Sequence, residues 1–310
     1  MPIILQETQR AVFYAPFYAA ITLGAYKDER LDVILKSSER PDDAARSVAE
    51  GTAHVGWGGP MRVIIGRDRD PQSDLVCFCE VITRDPFFLI GRKPLPNFEL
   101  SNLFGVSIAI VNEVPTPWFY LQEDIRRAGL DPLQLKRTPA RTMAENTRLF
   151  REGGIDVIQV LEPFAEELIA SGEGHIWYAA AERGHSSYTS FYTRRPTLDA
   201  RRAEFTAMTR AIYRTQRWLQ AVGADDIARA VADFFPEIPG DRLIAGLARY
   251  RTLGVWGKDP HLPRSGYERL KDGVLSAGAS KTGLPFEQAV DNSLAAAVIA
   301  ENPPPLGAAP

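Results

Sequence analysis

The side chains best suited to recognising a small molecule gather just after four strand-like runs. Tyr14 stands ahead of Pro16; Trp57, Gly59 and Arg62 surround Pro60; Glu113, Thr116 and Trp118 surround Pro115 and Pro117; Glu162 precedes Pro163. Flat rings offer rigid stacking faces, and a Tyr hydroxyl or Trp N–H adds a directional handle. Arg62 can grip a carboxylate or sulfonate with two parallel hydrogen bonds, while Glu113 and Glu162 supply acceptors. Each has a plainer role as well. The rings can pack in a core, and Glu162 and Thr116 can cap their own helices.

Other chemistries find less support. His54, His175, His185 and His261 are scattered without metal-ligand spacing, so no metal is expected, and His54 alone lies a strand-length from the proposed rim. Cys77 and Cys79 sit two apart in an apolar run, as two buried strand thiols would, and are too few ligands for zinc. No Gly-x-Ser-x-Gly elbow, phosphate loop or dinucleotide fingerprint occurs, and the lysines avoid the four junctions. No catalytic residue or cofactor is therefore assigned. A net charge of -3 offers no basic face for nucleic acid.

The elements that must hold these residues follow from periodicity. Across 310 residues, more than one core is expected. Short apolar runs alternate with amphipathic stretches from Ile3 to about Thr193, an α/β pattern with a largely parallel sheet. Strands are expected at Ile3–Gln6, Asp32–Lys36, His54–Gly58, Leu75–Ile82, Phe87–Gly91, Ser107–Val111, Asp156–Leu161, Ile176–Ala179 and Ser190–Thr193. Helices then follow at Asp199–Ala221, Ala224–Phe235, Asp241–Tyr250, Gly266–Ala277 and Pro285–Ala300, ahead of a disordered Pro/Ala-rich tail at Asn302–Pro310. Proline at each of the four junctions suits the first turn of a helix. In open parallel sheets such junctions lie at the carboxyl ends of strands, where free N–H groups can face a ligand.

Several stretches in order carry a resemblance. They are Ala15-Pro16-Phe17-Tyr18-Ala19-Ala20, Gly24-Ala25-Tyr26, Leu31-Asp32-Val33, Glu50 through Gly56, Arg127-Ala128-Gly129-Leu130-Asp131-Pro132, Gly153 through Val157, Glu162-Pro163-Phe164, Tyr250 through Trp256, Asp259-Pro260 and Val290-Asp291-Asn292. Together they resemble substrate-binding proteins for sulfonates, taurine, nitrate and the thiamine pyrimidine precursor. His54 replaces the usual Asp, and Glu29-Arg30-Leu31 lacks the usual Gly, so no particular ligand transfers with the resemblance.

The resemblance implies a periplasmic-binding-protein-like type II fold with a helical C-terminal part. Its first lobe would comprise 1–85 with 191–310 and its second 86–190, hinged at Arg84–Phe88 and Ser190–Thr193. It also implies a monomeric binding component of an ABC-type importer, partnered by a permease. The alternative is a cytosolic enzyme on the same fold: a thiamine-pyrimidine-precursor enzyme, a decarboxylase or a desulfinase. The opening residues lack an export-signal pattern. The chain as it stands is expected in the cytoplasm, or in the periplasm if a leader is missing from it. The mixture of rings, one cation and two acceptors suggests a flat aromatic or heteroaromatic ligand with an acidic or hydrogen-bonding substituent.

Overall fold

The computed structural model describes Met1–Gly307. In chain order the strands are β1 Ile3–Gln6, β2 Val33–Lys36, β3 Val55–Gly58, β4 Leu75–Ile82, β5 Phe88–Gly91, β6 Ser107–Ala109, β7 Lys136–Arg137, β8 Val157–Val160, β9 His175–Ala179 and β10 Thr189–Arg194. The first nine helices are α1 Ala15–Thr22, α2 Ala25–Asp28, α3 Asp43–Ala49, α4 Met61–Arg69, α5 Thr116–Arg127, α6 Met143–Arg151, α7 Phe164–Ala170, α8 Arg195–Ala200 and α9 Arg202–Ala221. The remainder are α10 Ala224–Val231, α11 Gly240–Thr252, α12 Arg264–Ser276, α13 Phe286–Ala289 and α14 Ser293–Glu301.

The strands form two five-stranded sheets, β2-β1-β3-β10-β4 and β7-β6-β8-β5-β9. Each is mixed rather than largely parallel: β10 runs antiparallel to β3 and β4, and β5 runs antiparallel to β8 and β9. β4 is buried along its whole length, which accounts for its run of apolar residues around Cys77 and Cys79, interrupted by the buried Glu80. Both thiols are free, and burial pushes Cys77 up to about 12 and Cys79 upward too.

The proline junctions behave as the residue types require. Pro16 and Pro117 lie in the first turns of α1 and α5, and Pro60 and Pro163 immediately precede α4 and α7. Gly24 ends the turn after α1 with φ of 74°, which side-chain-bearing residues rarely adopt.

Three further sequence expectations are corrected, and one strand is added. The strand Lys136–Arg137 carries no apolar pattern, because both residues are exposed. The expected helix Pro285–Ala300 is broken, since Val290 bridges to Cys77 and the Asp291 N–H donates to the Cys77 carbonyl at 2.8 Å. The expected crossing Ser190–Thr193 lies inside β10, paired on both sides, so the chain returns to the first sheet earlier, between β9 and β10. Residues 302–307 of the tail dock on α9, where Leu306 is buried and donates its N–H to the Arg214 carbonyl. Residues 308–310 lie outside the described residues.

The helices after β10 touch both sheets' surroundings. α9, α10 and α14 pack with α1, α2 and β4, whereas α11 packs on α7 and α12 on α5. Arg126 donates to the Ser276 hydroxyl at 2.6 Å and Arg127 pairs with Asp272 at 2.9 Å across the α5 and α12 contact.

A second tie holds the loop beyond α12. Asp68 on α4 accepts hydrogen bonds from the Ser280 hydroxyl at 2.5 Å, the Lys281 N–H at 2.6 Å and the Thr282 hydroxyl at 2.6 Å. These donors hold its carboxyl down at about 2. A depressed native pKa stabilises the fold fully above the unfolded carboxylate range near ~3.9, and that contribution disappears as pH falls through about 2. Acid denaturation of Asp68→Asn should lack this part of the pH dependence. An identical acid slope in both proteins would show that the Asp68 tie contributes nothing.

Candidate functional site

The junctions of both sheets converge between the two lobes. On the first side, Glu7 immediately follows β1 and is buried. It accepts from the Tyr18 hydroxyl at 3.0 Å, the Ser37 hydroxyl at 2.7 Å and Arg10 at 2.8 Å. Thr8 follows and donates to the Trp57 carbonyl. A methyl group at Gly58 would lie 2.8 Å from Thr8 Oγ1, 3.3 Å from Tyr192 Cε1 and 3.4 Å from Arg62 Nε. Only a residue without Cβ lets these three side chains meet over β3.

Across from them stands the start of α5. The gap between the two rims is narrow, about 20 Å³, and is bounded by Thr8, Tyr14, Gly59 and Arg62 with Thr116 and Tyr188. It sits beside a larger hollow of about 350 Å³ that shares Gln9. Both lobes line that hollow: Val12 from the first, and Met143, Leu161 and Phe164 from the second. Phe235 and Ile238, ahead of α11, complete the apolar wall. Its charged groups are Arg10, Arg242, Glu113, Glu162, Glu167 and Glu237.

Electrostatics at the narrow end are set by Arg62. Its side chain is 8% exposed and its Nη1 lies 2.5 Å from Asp42, whose carboxyl it holds below the usual range. Burial pushes the Tyr14 hydroxyl up to about 12, so it stays a neutral donor. The Tyr192 hydroxyl, Thr189 Oγ1 and Trp57 Nε1 are buried and find no partner among the described residues. Such groups cost free energy unless something completes them.

The eight residues read from the sequence divide into three groups. Tyr14, Gly59, Arg62 and Thr116 border the narrow gap. Glu113 and Glu162 border the larger hollow but are largely committed to the protein. Glu113 accepts from the Met143 N–H at 2.7 Å, capping α6, while Glu162 accepts from the Glu166 N–H at 2.8 Å and pairs with Arg249. Burial pushes the Glu162 carboxyl up in spite of that arginine.

Trp57 and Trp118 border neither. Trp57 is 0% exposed, stacked on Phe17 with centroids 4.4 Å apart and flanked by Tyr14 and Tyr18. The reason is strand alternation: Gly56 and Gly58 face Tyr192, which turns Trp57 to the opposite face and into α1. Trp118 lies two positions past Thr116, about 200° around the helix, and packs on the second lobe's own core beneath Arg137.

Residues that the sequence reading did not single out include Thr8, Gln9, Gly58, Tyr188 and Tyr192. The first two follow β1 as directly as the other junctions follow their strands, so the same rule would have found them. Phe235 and Ile238 had no such signal. His54 is structural: its Nδ1 accepts the Ile4 N–H at 3.0 Å, and burial holds its pKa down. Among the described residues, no group of three or more His, Cys, Asp and Glu is placed to hold a metal ion.

Two mixed α/β lobes whose strand-to-helix junctions face one another across a cleft define the periplasmic-binding-protein-like type II architecture. The comparisons agree with that class: residues 99–234 match the model of the NMT1-like family. The chain is 24% identical over 297 residues to YtlA of Bacillus subtilis (strain 168), a candidate binding protein, covering 95% of this chain and 89% of the other. A Bordetella bronchiseptica RB50 structure matches with a TM-score of 0.75 at 20% identity, over 97% of this chain and 98% of that one. The periplasmic aliphatic sulphonate binding protein SsuA of Escherichia coli matches with a TM-score of 0.74 at 13% identity, over 93% and 96%. The chain thus resembles the sulfonate-type substrate-binding proteins in sequence pattern and shares their fold.

Proposed function

We propose that this chain is a solute-binding protein that holds one small organic molecule between its lobes and delivers it, as a monomer, to an ABC-type permease. The supporting observation is a hollow of about 350 Å³ with apolar walls from both lobes, adjoining a narrow gap where, among the described residues, Arg62 is the single cation. The bound molecule is a compact aromatic or heteroaromatic acid. Its body rests on Met143, Phe164, Phe235 and Ile238, while its acidic group reaches toward Arg62, Thr8, Tyr14 and Thr116. A purely inorganic anion would leave the apolar walls unused, and a hydrocarbon would leave unmatched the part of the Arg62 guanidinium that Asp42 does not engage.

The test is calorimetry on the full chain with benzoates, pyrimidine carboxylates, taurine, nitrate and alkanesulfonates, repeated on Arg62→Gln. An aromatic acid should bind one to one and lose roughly tenfold or more in affinity in the variant, as expected for a lost charge-assisted hydrogen bond. A non-aromatic anion as the best ligand, or equal affinity in both proteins, would refute the reading of the cleft. Mass spectrometry of the recovered ligand should show it unchanged; conversion to a product would replace transport by catalysis.

A further inference from the structure

Behind the cleft, on the outer edge of β4, lies a second hollow of about 370 Å³ that the first site does not use. The segment Val255–Pro260 forms one wall by adding to β4: Trp256 bridges to Ile82, the Gly257 N–H donates to the Val81 carbonyl, and the Glu80 N–H donates to the Pro260 carbonyl. The opposite wall carries both connections between the sheets, with Thr83 and Arg84 leaving β4 and His185 approaching β10.

Three cations, Arg84, Arg251 and Lys258, line this hollow, and both arginines are held by backbone carbonyls. Arg84 Nη1 donates to the Leu253 carbonyl at 3.1 Å, and Arg251 Nη2 donates to the Gln220 carbonyl at 3.2 Å. Each bond uses one N–H and leaves the rest of the guanidinium uncommitted. Among the described residues neither arginine has a carboxylate partner, nor does Lys258, and all three line the hollow. His185 is fixed through Nε2 by the Thr83 hydroxyl and by Glu80 Oε2 at 2.8 Å.

Two acids also line the hollow. Glu80 is buried and engaged with His185, whereas Asp259 Oδ1 accepts the His261 N–H at 2.9 Å. Three unpaired cations, two of them anchored guanidiniums, therefore surround a space large enough for a compact metabolite. Planar N–H forks held in advance match oxyanions, because little side-chain freedom is lost on binding.

We infer that this hollow is a second ligand site, distinct from the cleft, which takes a small multiply charged oxyanion, a phosphate or a polycarboxylate. The anion sits between Arg84, Arg251 and Lys258. Since Arg84 and His185 belong to the two connections and Arg251 lies in the last turn of α11, the occupied site braces the hinge from outside.

Amide NMR of the full chain at fixed ionic strength tests this, with inorganic phosphate and citrate titrated in separate experiments. At least one of them should give saturable one-to-one shifts centred on Gly254, Gly257 and Lys258, and which one responds identifies the anion class. Arg84→Gln combined with Arg251→Gln should weaken that response about tenfold or more, while the surface variant Arg229→Gln should leave it unchanged. If the double variant fails to fold, the exposed Lys258→Gln alone should still weaken it severalfold. Absence of a saturable response to either anion, or a response indifferent to these substitutions, would overturn the site.

Discussion

Replacing Trp57 by alanine is expected to destabilise the protein by about 3–5 kcal/mol, the usual cost of removing a large ring from a packed core. The indole is fully buried, and its neighbours continue as an aromatic chain. Phe17 lies 5.1 Å from Phe191, which lies 5.8 Å from Phe78, which lies 5.4 Å from Phe205. Removing Trp57 therefore opens a cavity where α1 meets the first sheet. Urea denaturation should show the loss as a lower midpoint, with Trp57→Phe losing less. Ligand affinity, measured where the variant is folded, should change little because the ring borders neither part of the cleft. A variant of undiminished stability with weakened binding would return Trp57 to the cleft.

An effect of similar size is expected at Arg183, whose side chain is 1% exposed. It pairs with Asp85 at 2.9 Å, with Asp124, and with the face of Tyr120 at 4.9 Å. Asp85 stands on one connection between the lobes, Arg183 leads into the other, and Asp124 lies on α5, where Arg269 of α12 also reaches it. Arg183→Met keeps much of the packing but leaves the fully buried Asp85 without its cation, a change that costs about 3–5 kcal/mol in other buried pairs. Adding Asp85→Asn should recover part of the loss.

The pH dependence has a definite sign. Burial already pushes the Asp85 carboxyl up against the pull of Arg183, and losing the arginine pushes it further. A native pKa above the unfolded value favours the fold below about 3.9, and that advantage is lost as pH rises through the native pKa. The deficit of Arg183→Met should thus shrink on acidification, measured by denaturation at a series of pH values. Equal stability of variant and parent at neutral pH would mean that the pair contributes nothing.

Much of the scaffold was legible because its signals are local. β1 and β4 coincide with their expected boundaries, since short apolar runs bounded by polar or turn residues need no distant partner to be seen. The four prolines mark helix starts because a fixed φ and a missing N–H act within one turn. Strand direction was not legible. β5 and β10 read like the other strands, yet each runs antiparallel to its neighbours, a property fixed by where the chain crosses between sheets.

The same division runs through the site. Residue type and position after a strand brought Tyr14, Gly59, Arg62 and Thr116 to one gap. Trp57 and Trp118 met the same criteria, but the face each presents depends on what packs opposite: Tyr192 over the glycines of β3, and Arg137 over α5. Sequence alone determined most of the elements and where the strand-to-helix junctions fall, because these follow from bonding and burial within a few residues, whereas the two-lobed class came from the resemblance. Only the tertiary structure decided which side chains face the cleft, that Phe235 and Ile238 close its outer wall, and that Arg84, Arg251 and Lys258 share one hollow. Those proximities join residues far apart in the chain, and they arise from packing that no local spacing encodes.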